Sequence, residues 1–338
     1  VDGEIIGEKT KLSNVKKFKE MGFVRTVLGD IDPGQMGITY SHEHIIIEES
    51  LPTLKNPDFL LNDVDKVSEE LQAVYACGGR TMVDTMPAAC GRNINKLAEV
   101  SRRTGIQIIA PTGLHLPIYY VPNHWQFHLN EEELAELFIA DVEEGIDAFD
   151  YNAPVIRRTR HKAGMIKLAS GDHPFDAHLQ KIFRAVAHTH RKTGVPVLTH
   201  TNSGKLAMEQ AELFAKLGVD LHHVVISHVD RNKDIAYHRA LMQTGVRVEY
   251  DSAFRWKKED ENFTFRLLEK ILPEFPRQVT VGMDAARHTY WKSYGGKPGL
   301  SWLLTDFVEE LRKRNLSSFF ENIFVHNPQA LYSFAQPH

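Results

Sequence analysis

Eight times between residues 36 and 313, a short apolar run of strand length is followed by a stretch with helical periodicity. The strand-like runs are 36–47, 80–86, 106–113, 164–170, 195–201, 223–229, 246–252 and 279–284. They are rich in aliphatic and β-branched residues, as parallel strands covered on both faces must be. Helical patterns occupy 63–77, 92–104, 131–147, 175–193, 204–217, 232–244, 260–272 and 300–313. In the fifth of these, Leu206, Leu213, Phe214 and Leu217 fall near one stripe. Gly105, Gly194, Gly218 and Gly245 follow helices where a left-handed cap is favoured. Such alternation implies a parallel sheet, and the eightfold count favours an α/β fold of the closed (β/α)8 TIM barrel type over an open sheet. No Gly-x-Gly-x-x-Gly follows a strand, which argues against a dinucleotide-binding sheet.

The length of 338 residues suits one barrel with insertions. Residues 1–20 are polar and lysine-rich and read as an N-terminal extension ahead of Met21; residues 21–338 read as a single domain. Residues 317–335 look like one or two short helices packing on the barrel. A net charge of −4 implies no bulk attraction to nucleic acid or to an anionic membrane. No apolar run reaches membrane-span length, no secretory signal layout opens the chain, and Cys77 and Cys90 make no disulfide framework. The expected compartment is the cytoplasm.

Six residues at or near strand ends carry the chemistry: His42 and His44 (TYSHEHIII), Lys167 (GMIKLAS), His200 (PVLTHT), His228 (VISHVD) and Asp284 (VGMDAA). In a parallel barrel the carboxyl ends of the strands converge on one face. His42 and His44 are two apart, so both point to one side, where two imidazoles can hold one cation. Two such groups inside an apolar barrel would cost desolvation for no gain if they were merely structural. With Met165 and Leu168 toward the helices, Lys167 would face the interior. A lone buried ammonium must be paired, deprotonated or modified. A neutral amine can take up carbon dioxide, and the resulting carbamate can bridge two metals. The competing chemistry is a Schiff-base aldolase. His200 and His228, 28 residues apart, offer ligands for a second metal, and Asp284 can bind one metal while bonding a water. An all-nitrogen-and-oxygen set suits Zn²⁺ first, with Mn²⁺, Co²⁺ or Fe²⁺ as alternatives. Asp230 is a candidate orienter of a ligand histidine. No Gly-x-Ser-x-Gly elbow appears, which disfavours a serine mechanism.

The loops after strands seven and eight are cationic and aromatic. The first, SAFRWKKED, carries Arg255, Lys257 and Lys258; the second, AARHTYWKSYGGKPGLSW, carries Arg287, Tyr290, Lys292, Tyr294 and Lys297. Barrel phosphate sites often use these loops, and an arginine with a tyrosine hydroxyl and a lysine makes a phosphate clamp. The loop after strand three (LHLPIYYVPNHWQFHLNEEE), with Tyr119, Tyr120 and Trp125, reads as a cap over the site or a contact surface.

From about residue 24 to the end the chain resembles the phosphotriesterase-like branch of the amidohydrolase superfamily. The carriers are VRTVLGDIDPGQMGITYSHEH, GMIKLAS, PVLTHT, ISHVD, VGMDAA and IFVHNP. The resemblance implies that His42, His44 and Asp284 hold the more buried of two divalent metal ions. It implies that His200 and His228 hold the more exposed one, and that carboxylated Lys167 bridges both with a hydroxide. In that picture hydroxide attacks and Asp284 is the catalytic proton acceptor. Lys167 excludes the branch in which a glutamate replaces the lysine. Loops seven and eight are most similar to those of the subgroup that hydrolyses phosphorylated sugar lactones. This implies that Arg287, Tyr290 and Lys257, with Lys258 as the alternate, hold a terminal phosphate on a furanose 1,4-lactone 5-phosphate. The alternatives are a phosphotriesterase or an unphosphorylated lactone or ester hydrolase on the same centre, and, on other grounds, a binding protein that has lost turnover. The partner implied is a small-molecule substrate, with a possible homodimer.

Overall fold

The computed structural model of the protein describes residues 22–256 and 262–336. Its frame is a ring of eight strands, each entering from a helix or loop on the outside. We number them β1 (Ile38–Glu43), β2 (Gly79–Asp84), β3 (Gln107–Ile109, resuming at Pro111–Gly113), β4 (Met165–Ala169), β5 (Val197–His200), β6 (Val224–Ile226), β7 (Arg247–Tyr250) and β8 (Val279–Val281). Every adjacent pair in the ladders is parallel, with Met82 opposite Ile108, Lys167 opposite Leu198 and Val248 opposite Val279. Sequential parallel neighbours are what a strand–helix–strand repeat gives. The third strand breaks at Ala110 and pairs with β2 before the break and with β4 after it. The ring closes where the amide of Asp284 donates to the carbonyl of His42 at 2.9 Å. Gly282 permits that approach, since a Cβ there would meet the His42 backbone at 2.8 Å.

The outer layer contains α1 (Val64–Ala76), α2 (Ile94–Thr104), α3 (Glu131–Glu143), α4 (Ala177–Thr193), α5 (Ala207–Lys216), α6 (Ile235–Gln243), α7 (Phe263–Ile271) and α8 (Asp306–Lys313). Their starts are set by polar caps: Asn93 accepts from the Lys96 amide, Asn130 forms a reciprocal box with Glu133, and Asp176 accepts from the Leu179 amide. Gly105 and Gly194 end α2 and α4 in the left-handed conformation, both at φ 74°.

Three features of the element layout depart from the sequence reading. Val24–Thr26 and Gly29–Ile31 form an antiparallel hairpin ahead of the barrel. The pattern expected as helix to residue 147 stops at Glu143, and 144–163 is irregular chain. That segment is held by Asp141 and Asp150, which share the buried Arg92, with Arg158 also on Asp141. The stretch 300–313 opens with 3-10 turns and is α-helical only from Asp306. The closing segment does pack on the barrel: the Tyr332 hydroxyl donates to the Ser41 carbonyl at 2.9 Å.

Beneath the site, Val83, Ile109, Met165, Leu198 and Val225 from five successive strands form one interior layer with Leu331 and Tyr332. Met165 therefore faces inward. This corrects the expectation that it meets the helices: strand side chains alternate, so Met165 and Lys167 share a face, and Ile166 and Leu168 turn outward into the larger core. Lys167 keeps its expected interior position. Cys77 is exposed, Cys90 is buried, and both are free thiols. Among the described residues no helix is long and apolar enough to cross a membrane.

Candidate metal centre

The strand ends bring His42, His44, Lys167, His200, His228 and Asp284 to one mouth of the ring. The Lys167 amine is 3.3 Å from His42 Nε2. Asp284 Oδ1 lies 3.3 Å from His44 Nε2 and 3.7 Å from His42 Nε2, while Oδ2 lies 3.9 Å from His228 Nδ1. The His228 ring is 4.9 Å from that of His42 and 4.6 Å from that of His200. Asp284 thus stands between a His42–His44 half and a His200–His228 half, with Lys167 behind it. Both Asp284 (φ 47°) and His228 (φ 63°) are held in the left-handed region. Non-glycine residues pay for that conformation, and the surrounding bonds must hold them there. For Asp284 the bond is its amide to His42; for His228 it is its amide to Asp251 Oδ2 at 3.1 Å.

Hydrogen-bond partners assign the free nitrogen of each imidazole. His42 Nδ1 donates to Glu249 Oε2 at 2.7 Å, leaving Nε2 toward Lys167 and Asp284. His228 Nδ1 donates to Asp251 Oδ2 at 2.7 Å, leaving Nε2. His200 is turned the other way: its Nε2 donates to Asn202 Oδ1 at 2.9 Å, leaving Nδ1. The Asn202 amide nitrogen donates in turn to Asp172 at 2.9 Å, which fixes its oxygen toward the imidazole. His44 presents Nε2 to Asp284, with Nδ1 against the Met86 sulfur at 3.2 Å. A carboxylate or amide behind His42, His200 and His228 is the arrangement that orients metal-ligating histidines.

The electrostatics agree with a cation-binding role. Burial holds His42, His44 and His200 below the ordinary imidazole value, so they are neutral donors. Burial also draws the Lys167 amine down to about 8. Burial alone would raise Asp284, but Arg255 and His228 outweigh it and keep the carboxylate ionised. Glu43 and Asp84 are pushed up to about 8 and about 7 by burial, while Glu249 is raised well above the carboxylate range by burial and by Asp251. With Asp230 and Asp251 they form a ring of five fully buried acids around one mouth. So many acids with so few cations is costly unless positive charge is supplied, and a pair of divalent ions supplies it. Four imidazoles, a carboxylate and an amine able to form a carbamate suit such ions.

Several of these residues escaped sequence reasoning. Asp251, and not Asp230, takes the His228 imidazole. Asp230 sits one step behind, accepting from the Ser252 amide at 2.9 Å and the Thr264 hydroxyl at 2.7 Å. Glu249 and Asp251 alternate with outward-facing Val248 and Tyr250 on β7, an interior-acid pattern legible in the sequence RVEYD. Arg231, three after His228, reaches Asp284 and Asp251 at 3.2 Å each, and Arg255 reaches Asp284 at 2.9 Å.

Above the donors lies a cavity of about 500 Å³. Its lining includes His44, Lys167, His200, His228 and Asp284 at the floor, then His115, Tyr119, Arg231, Arg255, Arg287 and Tyr290. Arg287 is paired with Asp58 and lies 4.5 Å over the Phe59 ring. Tyr290 meets the Phe254 ring edge at 5.0 Å. Tyr294 turns away to α1, where its hydroxyl accepts from the Asp63 amide at 3.1 Å. Lys257 and Lys258 lie outside the described residues. From the loop after β3, Tyr119 lines the cavity, whereas Ile118 and Val121 face solvent.

A family model described as the phosphotriesterase family matches residues 22–332. A phospho-furanose lactonase from Mycoplasmopsis agalactiae is 31% identical, over 93% of this chain and 92% of its own. The crystal structure of an amidohydrolase from Mycoplasma synoviae superposes with a TM-score of 0.89 at 29% identity, covering 94% of each chain. A lactonase from Listeria monocytogenes superposes with a TM-score of 0.84 at 29% identity, covering 93% of this chain and 99% of that one.

Proposed function

The chain belongs to the phosphotriesterase family, and from that premise we propose that it is a binuclear metal-dependent hydrolase that opens a phosphorylated sugar lactone, a furanose 1,4-lactone bearing a 5-phosphate. The observation that carries this reading is one cavity with two chemistries. His44, His200, His228, Lys167 and Asp284 line its floor, and Arg287 and Tyr290 line its wall. The names of the relatives support the same substrate class.

In this reading His42, His44 and Asp284 hold one cation and His200 and His228 the other. Zn²⁺ is the expected metal, with Mn²⁺ or Co²⁺ as alternatives. Lys167, as its carbamate, would supply an anionic ligand to the two cations: the amine adds to carbon dioxide and releases one proton. An amine drawn down to about 8 by burial is unprotonated far more often at neutral pH than a surface lysine. When bound, two divalent ions lower the pKa of a water and polarise the acyl oxygen. Asp284 accepts the proton of the attacking water and delivers it to the leaving ring oxygen. Arg231 and Arg255 hold its Oδ2. Asp251 and Glu249 fix the tautomers of His228 and His42. Asp230 holds the backbone beside Asp251. Arg287 and Tyr290 receive the phosphate, with Lys257 as the third member of the clamp.

Metal-loaded protein assayed on a phosphorylated five-carbon lactone, an organophosphate triester and a simple carboxylic ester tests this. The expected order places the phosphorylated lactone first by at least about tenfold, the equivalent of about 1.4 kcal/mol. A triester as the best substrate would replace the lactonase reading with a phosphotriesterase.

A further inference from the structure

A fourth histidine lines the cavity and has no place in the metal set. We propose that His115 is a catalytic residue: its Nε2–H donates a hydrogen bond to the acyl oxygen of the bound lactone as that oxygen gathers negative charge. The inference rests on the lactonase reading above.

His115 lies two residues past the end of β3, at the same mouth of the ring as the donor set. Its backbone is fixed from both sides. The Leu114 amide donates to the Lys167 carbonyl at 2.9 Å. The His115 amide donates to the Tyr120 hydroxyl at 2.8 Å, and that hydroxyl donates on to the Ala88 carbonyl at 3.1 Å. Gly113 allows the strand end to lie this close to Lys167: it sits at φ 97°, and a Cβ there would meet the Lys167 carbonyl oxygen at 1.9 Å. The ring is held as firmly as the backbone. It packs on the Tyr119 edge at 4.2 Å and beside the His200 ring at 4.9 Å.

Its protonation pattern follows from one bond. The Leu116 amide donates to His115 Nδ1 at 2.7 Å, so Nδ1 is an acceptor and the ring proton is on Nε2. A protonated nitrogen has no lone pair for a cation, so His115 is not a further metal ligand in this arrangement. Among the described residues no group accepts the Nε2 proton, while the ring lines the cavity beside the His200–His228 half. An N–H donor held in place before substrate arrives, facing the cavity, stabilises charge that develops there. His124 and His178 also lack an Nε2 partner, but neither lines this cavity, whereas the His115 ring does.

The test compares His115→Phe, which keeps a ring but removes the donor, with His115→Gln, which restores an N–H. Each metal-loaded variant is measured for kcat and KM on the phosphorylated lactone, for metal content and for Tm. The expected result is a fall in kcat of about 100-fold for His115→Phe, the scale of one lost oxyanion donor. KM should change little, His115→Gln should recover to within about tenfold, and the variants should retain about two cations per chain. Wild-type kcat in His115→Phe would overturn the proposal. A fall matched by loss of metal or of Tm in both variants would also overturn it, since His115 would then be supporting His200 rather than touching substrate. Those outcomes leave the lactonase reading standing; a wild-type protein without lactonase activity would remove both.

Discussion

The floor and the wall of the cavity are built in opposite ways. Floor residues leave strands at one mouth of the ring, and four of them are pinned from behind: His42 by buried Glu249, His228 by buried Asp251, His200 by half-buried Asn202, Asp284 by its own amide to β1. Wall residues leave long loops and lean on other loops. Arg287 reaches from the loop after β8 to Asp58 and Phe59 in the loop after β1, and Arg255 stacks at 4.8 Å on neighbouring Phe254. Strand ends give a rigid frame for chemistry that tolerates little displacement, whereas loops can be exchanged without disturbing the barrel. In the proposed function the floor sets what reaction occurs, and the wall sets on what.

Substitutions should divide along that line. The largest effect is expected from Lys167→Ala or Asp284→Asn, with kcat reduced by about 10³-fold or more on every substrate together with loss of bound metal, read by turnover and elemental analysis. A floor variant that lost only one substrate would break the division. Next come Asp251→Asn and Glu249→Gln, which keep the shape behind an imidazole and replace its carboxyl partner with an amide. Metal affinity should fall by about 10- to 100-fold in a chelator competition, with substrate preference unchanged. Arg287→Ala should lower kcat/KM for the phosphorylated lactone by about 10- to 100-fold, the equivalent of one charge-assisted bond of about 1.5–3 kcal/mol, and leave the unphosphorylated lactone untouched. Equal losses on both lactones would place Arg287 among the floor residues. The smallest effect is expected from Leu54→Ser and Ile118→Ser at the outer rim, where the side chains are 78% and 68% exposed. Tm and kcat/KM should stay within about 0.5 kcal/mol of wild type by calorimetry and steady-state rates.

The same line separates what the sequence makes legible from what it hides. The eight strands fall inside or within one residue of the expected runs, because buried parallel strands have a strong composition signal. The six candidate donors were legible because each sits within a strand pattern or close to its end. The residues that orient them were less so. Asp251 looked like the end of a strand, and only the three-dimensional ring brings its carboxylate to His228 across 23 positions. Asp230, nearer in sequence, points instead to Thr264. The left-handed turn at Asp284 has no residue signal, since it is imposed by closure of β8 on β1 and not by a glycine. The interior face of Met165 was legible from alternation with Lys167, once the lysine is taken as the interior marker. In the wall, Arg287 and Tyr290 reach the cavity as their spacing from Asp284 suggests, but Tyr294 from the same loop is spent on bracing α1. A loop's composition indicates its charge and not which of its side chains turn inward.

The most direct measurement is a matched pair: hydrolysis of a five-carbon 1,4-lactone with and without its 5-phosphate, by metal-loaded wild type and by Arg287→Ala. A strong preference for the phosphorylated lactone in the wild type, lost in the variant while the slower unphosphorylated rate persists, is the predicted result. Equal wild-type rates on the two lactones would contradict it, leaving a lactonase whose wall does not read phosphate.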